Sequence, residues 1–235
     1  PLFAWMEWRY YRMTGDASRI RRVLTVLDKY FTWCRDYARS PFSNPAGPGA
    51  KDLYFITDLG SGMDNSPRGE FIGSGAWIDL SSQQAMAALY ISRLARVVSD
   101  RKLQKKYYKE YETIKKDINN YLWHDEHQIY YDRTESGEWH TRKTIASFWP
   151  LLAEITDRTR ATALIEKHLK NPEEFNRPHL FPTLANNDQD YSPWGNYWRG
   201  GVWAPTTYVV IKGIERYDRR FAYQAAVNHL YNMSK

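Results

Sequence analysis

Two kinds of apolar patterning alternate along this chain. Residues 18–39 place Ile20, Val23, Leu24, Leu27, Phe31, Cys34 and Ala38 at helical spacing. Residues 82–98, SQQAMAALYISRLARVV, are apolar nearly all round in their middle turns, which predicts a buried helix. Residues 102–122 carry one stripe, Leu103, Tyr107, Tyr111, Ile114, Ile118 and Tyr121, which predicts a helix lying outside with one face inward. The contrast then recurs. TIASFWPLLAEI (144–155) is apolar all round despite Pro150, and 158–170 has one stripe at Leu164, Ile165 and Leu169. VWAPTTYVVIKGI (202–214) is again apolar all round, although its β-branched content leaves a strand open. The last segment, 219–234, has a stripe of Ala222, Ala225, His229, Leu230 and Met233. The aromatic opening segment, 1–13, reads as a helix stopped by Gly15, with Asp16 or Ser18 able to cap the next one.

Buried segments therefore pair with amphipathic ones. Long stretches at 40–80 and 171–201, rich in turn formers, precede buried members, and loops of that length are usually functional. The expectation is an all-α fold, an inner ring of helices wrapped by an outer ring, with about eight helices. One hairpin is expected over 128–141, turning at Ser136-Gly137.

Composition narrows the partners. The 235 residues favour one domain, and 43% hydrophobic content makes it globular. Aromatic content is 16%, with 10 Trp and 18 Tyr, an excess that suits a cleft stacking on flat or sugar-like ligands. The net charge of +6 raises nucleic acid as a partner. The cations, however, mostly lie on amphipathic stretches such as RKLQKKYYKEYETIKK (101–116), mixed with Glu, as on a solvated helix face. Neither nucleic acid nor a membrane is the expected partner. Cys34 is the single cysteine, so there is no internal disulfide framework. The chain has no initiator Met, opens inside one helix and closes inside another, so a longer protein is expected, its compartment left open. A periplasmic or secreted location fits that picture.

Two stretches carry candidate chemistry. LGSGMDNSPRG (59–69) sets one acid, Asp64, among turn formers. It reads either as the polar tip of a turn or as a general acid, with Asn65 and Arg68 available for polar ligand groups. SPWGNYWRGGVWAP (192–205) packs Trp194, Tyr197, Trp198 and Trp203 around Arg199 and Gly200-Gly201. It reads either as a loop entering a core helix or as a sugar-binding wall, where rings stack on pyranose C–H faces, Arg199 donates to hydroxyls and the glycines clear space. WHDEHQ (123–128) sets His124 and His127 three apart and reads as a helix end beside the hairpin rather than a metal site. NNDQDY (186–191) reads as a loop, with cation or sugar-hydroxyl binding as the alternative. No cofactor is implied.

Taken in order, SGMDNSPR, WIDLSSQQAMAALYISRLARV, SFWPLLAEI and YWRGGVWAPTTYVVIKGI resemble glycoside hydrolase family 63, its mannosylglycerate-hydrolase-like relatives and, more distantly, the trehalases. The opening PLFAWMEWRYY resembles that family's Pro-Pro-x-x-Ala-Trp helix. The resemblance covers essentially the whole chain. It implies an (α/α)6 toroid, incomplete here, with residues 1–235 part of a single catalytic domain and the rest of the toroid outside both ends. It also implies inverting hydrolysis of an α-linked glucoside or mannoside. In such a reaction two carboxyl groups stand roughly 6.5–9.5 Å apart, one protonating the leaving oxygen and one activating a water.

The resemblance makes Asp64 the general acid, which must hold its proton near neutral pH. It places Trp198, Arg199 and Trp203 on the sugar pocket, with Asn65, Arg68 and Trp5 as further contacts. Asp79 and Gln83 stand at the mouth of a buried helix, where Asp79 either touches the pocket or caps the helix. Two departures stand out. The family's aromatic after Ser-Pro-Arg is Gly69 here, followed by Glu70 and Phe71, so Phe71 is the alternative contact. The family's Trp-Glu-x-Tyr segment, which supplies the general base, has no counterpart in these residues. Glu7, Asp58, Glu70, Asp79, Asp188 and Asp190 are carboxylates outside any such motif, and the base is expected beyond Lys235. The alternatives are a non-catalytic carbohydrate-binding or scaffold module and another (α/α)6 sugar enzyme, an epimerase or lyase.

Overall fold

The computed structural model describes residues 1–38, 52–56, 58–69 and 75–234. Glu70 and Phe71 lie outside the described residues, as does much of the predicted 40–80 loop. The alternation of patterning is realised as alternating helices. Helix α1 (Phe3–Thr14) ends at Gly15 in the left-handed region, and α2 (Ala17–Ala38) buries Ile20, Leu24, Leu27, Phe31 and Cys34 on one face. A short turn, α3 (Asp58–Ser61), follows. Helix α4 (Ile78–Val97) is buried on nearly every side and packs against α1, α2 and α5 (Arg101–Tyr121). Helix α5 buries only Tyr107, Tyr111, Ile114, Asp117 and Ile118, as a one-stripe helix should.

Capping separates the two kinds. Each outer helix opens on an aspartate whose Oδ1 accepts from a backbone N–H three residues on: Asp16 from Arg19 at 3.0 Å, Asp100 from Leu103 at 2.9 Å, Asp157 from Arg160 at 2.8 Å and Asp218 from Phe221 at 2.9 Å. A cap of this kind is worth about 1 kcal/mol. Two inner helices, α4 and α8 (Ala204–Ile214), open instead on Trp77 and Trp203, whose side chains make no cap bond. Segment 202–214 is thus helical, not a strand, with Pro205 in its first turn, where a missing N–H costs nothing.

Several elements differ from expectation. The buried segment over 144–155 is a 3-10 turn, Ile145–Phe148, followed by a single α turn, α6 (Trp149–Leu152), with Pro150 at its start. The outer helix α7 (Arg158–Ala163) widens into a π turn, Leu164–Leu169, whose Lys170 N–H donates to Ile165 O at 2.9 Å. That turn buries Leu164, Ile165 and Leu169 as predicted, and also His168. The predicted single hairpin is two small antiparallel pairs. β1 (Trp123–His124) pairs with β2 (Ile129–Tyr130), and β3 (Asp132–Arg133) with β4 (Trp139–His140). The first pair makes His124 part of a strand, not a helix end, and stacks its ring on His127 with centroids 4.1 Å apart. Among the described residues no cluster of ligating side chains fits a metal ion.

Helix α9 (Arg219–Met233) packs Phe221, Ala222 and Ala225 inward, but Leu230 and Met233 are 68% and 62% exposed. The predicted stripe is therefore only half used. His229 and Leu230 of its outer half line a groove of about 590 Å³ between α8 and α9, with Tyr208 and Ile211 among others. No described helix is long and apolar enough to cross a membrane.

Candidate active site

The two loops singled out by sequence meet at the N-terminal ends of inner helices. The loop carrying Asp64 is built from tight turns: Ser66 N–H donates to Met63 O at 2.9 Å and Gly69 N–H to Ser66 O at 3.2 Å. Asp64 is exposed, and Tyr197, from the far loop, donates its hydroxyl to Asp64 Oδ2 at 2.9 Å. Trp198 and Trp203 stack with centroids 5.3 Å apart and planes at 23°, and Tyr197 stands edge-on to Trp203 at 5.4 Å. An exposed carboxyl group therefore lies beside a stacked indole pair and a phenol. Rings of this kind cover the C–H face of a sugar, while the carboxyl group can exchange a proton with its oxygens.

Asn65 clasps the loops together. Its Nδ2 donates to Asn196 O at 3.0 Å, its Oδ1 accepts from Trp198 N–H at 2.8 Å, and its own carbonyl accepts from Arg199 Nε at 3.0 Å. These are the bonds a paired strand would make, supplied by one side chain and one backbone group. Arg199 also lies 3.5 Å from Asp190 Oδ1, and Asp190 and Asp188 both pair with Arg142, at 2.7 and 2.6 Å. The NNDQDY segment is thus an ion-paired support of the loop.

The glycines clear space for the chain itself. A Cβ on Gly200, at φ +141°, would lie 2.4 Å from Ser192 O, and one on Gly201 would lie 2.4 Å from Tyr197 O. Asn196 and Tyr197 are non-glycine residues at φ 30° and 61°, and Trp203 Nε1 holds that turn by donating to Tyr197 O at 3.1 Å. This left-handed turn carries the Tyr197 phenol that bonds Asp64.

Other expected contacts sit elsewhere. Arg68 is fully buried and pairs with Asp79 at 2.8 Å and Asp132 at 2.9 Å, so it is turned away from the cleft. Burial pulls its guanidinium pKa down, but Asp132 and Asp79 outweigh that and hold it above the usual value. Asp79 is buried with it. Its Oδ1 accepts from Leu80 N–H at 2.8 Å, while Asp132 Oδ1 takes Ile78 N–H at 2.7 Å, so the start of α4 is satisfied by both carboxylates. Gln83 is half-buried within α4. Trp5 is buried in α1, lies 6.2 Å from Tyr208, and lines a separate cavity of about 460 Å³ with Trp8, Arg9 and Arg216 among others. Glu7 pairs with Arg19 at 2.7 Å. Sequence reading assigned no role to Asp132, which no short motif marks, or to Tyr197, which it placed only among the ring cluster.

Residues 1–234 match the domain family described as mannosylglycerate hydrolase MGH1-like glycoside hydrolase domain. The chain belongs to that family. Over 98% of its length it is 34% identical to an uncharacterized protein of Borreliella burgdorferi, of which it spans 46%. Over 48% of its length it is 30% identical to a cytosolic neutral trehalase of Kluyveromyces lactis, of which it spans 16%. The fold is shared with the family-63 mannosylglycerate hydrolase from Thermus thermophilus solved with glucose: TM-score 0.82 at 20% identity, over 97% of this chain and 65% of that one. The glycoside hydrolase domain is therefore the mostly helical, toroid-type fold that the alternating pattern predicts.

Proposed function

We propose that the intact protein is an inverting glycosidase acting on an α-linked glucoside or mannoside, with Asp64 as its general acid. The observation that carries this is the Asp64 carboxyl group facing the Tyr197 hydroxyl beside the stacked Trp198 and Trp203 rings. In this reading Trp198 and Trp203 seat the sugar, and Asp64 gives its proton to the glycosidic oxygen as the C–O bond breaks, the electron pair staying on that oxygen. A water attacks the anomeric carbon from the opposite face. Asn65 and Arg199 hold the two loops in register, and Trp5, which lines the separate cavity, takes no part at the reacting bond. The carboxylate that activates the water belongs, in this reading, to the third of the solved relatives' length that this chain does not span. The names of the relatives supply the first substrates to try, mannosylglycerate and trehalose.

The test is to assay the intact protein on these and on a panel of α-linked glucosides and mannosides, following the anomer of the fresh product by proton NMR. From a substrate whose leaving oxygen is not anomeric, the expected fresh product is the β-anomer; from trehalose, whose leaving glucose keeps its α-configuration, it is equal amounts of the α- and β-anomers. Initial release of the α-anomer alone would exclude the inverting mechanism.

A further inference from the structure

Arg68 lies four residues beyond the proposed acid, and its guanidinium is saturated. Guanidinium carries five N–H groups in a rigid fork. Nε donates to Asp132 Oδ2 at 2.9 Å; Nη1 to Asp79 Oδ2 at 2.8 Å and Met63 Sδ at 3.6 Å; Nη2 to Asp79 Oδ1 at 3.0 Å and Asp132 Oδ1 at 2.9 Å. The indole of Trp77 covers the guanidinium carbon at 4.4 Å. No N–H is left over for a sugar hydroxyl. What the fork does instead is join three elements: the turns around Asp64, the first turn of α4 through Asp79, and strand β3 through Asp132. Its fifth bond reaches Met63, the residue next to Asp64.

We propose that Arg68 is a positioning residue for the proton donor, with Asp79 and Asp132 as its anchor. This rests on the reading of Asp64 as the general acid. The turns at 63–66 and 66–69 are too tight to absorb a shift at Arg68, so a displacement there passes to Asp64. A misplacement of about 1 Å can cost on the order of 100-fold in rate. The loss must be selective. Asp64 matters when the leaving oxygen is basic and needs a proton, whereas fluoride leaves an anomeric carbon without one.

The experiment compares Arg68→Lys with the wild type in the intact protein. One substrate is the O-glycoside it turns over; the other is the α-fluoride of the same sugar, α-D-mannosyl or α-D-glucosyl fluoride. The expected result is a roughly 10- to 100-fold fall in kcat on the O-glycoside, with KM and fluoride turnover within about twofold of wild type. Asp132→Asn, which keeps an acceptor for Ile78 N–H and removes half the anchor, should show the same split more weakly.

A raised KM with unchanged kcat would mean that Arg68 touches substrate. Equal losses on both substrates, or none on either, would reduce the cluster to a structural role. If neither variant shows a cooperative melt, positioning cannot be separated from folding and the assignment falls. Each of these overturns the proposal. Near-wild-type turnover by Asp64→Asn would instead remove the acid assignment, whatever Arg68→Lys does.

Discussion

The loop that carries Asp64 and the loop that carries Tyr197 meet at one rim but are held by different means. The first is fixed from below by buried charge: one arginine, two aspartates and the indole face of Trp77. The second is fixed by its own backbone, through Gly200 and Gly201 packed against carbonyls and through the clasp of Asn65. Breaking a buried ion pair by removing one partner costs about 3–5 kcal/mol, whereas a neutral hydrogen bond contributes about 1 kcal/mol. The Asp64 loop is thus bolted to the helix core, and the aromatic loop is latched to it. On the proposed reading, the proton donor has the more rigid seat because its geometry enters the rate directly, while a wall of rings tolerates small shifts.

Substitutions at the two reacting faces should separate kcat from KM most strongly. Asp64→Asn is expected to lower kcat by about 10²–10⁴-fold with substrate affinity nearly intact. Trp203→Ala should chiefly raise KM, on the order of tenfold. Steady-state kinetics on an O-glycoside checks both, and a KM effect from Asp64→Asn would collapse the distinction.

The next contrast lies in the glycines. Gly200→Ala forces a Cβ to 2.4 Å from Ser192 O at φ +141°, whereas a Cβ on Gly62, at φ +74°, meets nothing within 4 Å. Gly62→Ala should cost about 1–2 kcal/mol from backbone conformation alone, and Gly200→Ala clearly more, read as paired shifts in urea midpoint. Equal shifts would show that the aromatic loop yields as easily as the acid loop.

Removing the clasp is a smaller change. Asn65→Ala deletes both side-chain bonds to the far loop and should destabilise by about 1–3 kcal/mol. A red shift in tryptophan emission would report Trp198 loosening. Asn65→Asp keeps the bond from Trp198 N–H but loses the donor to Asn196 O, so it should fall between.

The smallest effect concerns Glu174, whose carbonyl accepts from Asn186 N–H at 3.1 Å. Glu174 is buried with His168 Nδ1 at 2.6 Å from its Oε2 and Lys143 on its other oxygen. Burial pushes its carboxyl pKa up, but the bonds from His168 and Lys143 outweigh this and hold it below the usual value. A depressed folded value means stability that is present above the unfolded pKa, about 4.3, and lost as pH falls through the folded one. Melting temperature should therefore fall more gently below about pH 4.5 in Glu174→Gln than in wild type; parallel acid limbs would contradict this.

How much was legible in the sequence differs between fold and site. The buried face of α5 at Tyr107, Tyr111, Ile114 and Ile118 follows from spacing alone, because a helix exposes its own periodicity. The cap of α2 was also readable, with Asp16 or Ser18 as the alternatives and Asp16 the one that bonds, since a cap bonds within its own first turn. The 128–141 region was misdivided: Ile129 and Tyr130 pair backwards with His124 and Trp123, a choice between two local partners that pattern does not rank. The π turn after Ala163 was hidden for a related reason. Its stripe differs from that of an α turn by one residue, His168, whose burial depends on Glu174 and on the carbonyl of His127.

The sequence by itself determined the alternation of buried and one-stripe segments, because that pattern is written in neighbours a few residues apart. Only the tertiary structure decided what the polar residues of the Asp64 and Tyr197 loops do. Arg68, expected at the ligand, finds Asp132, 64 residues away. Asn65, likewise expected at the ligand, finds the backbone of Trp198, 133 residues away. A guanidinium or a carboxamide serves a sugar hydroxyl and a buried partner equally well, and its sequence neighbours do not say which it meets. That is settled by the packing that brings α4, β3 and the aromatic loop to one rim, leaving Asp64 exposed there and its neighbours occupied.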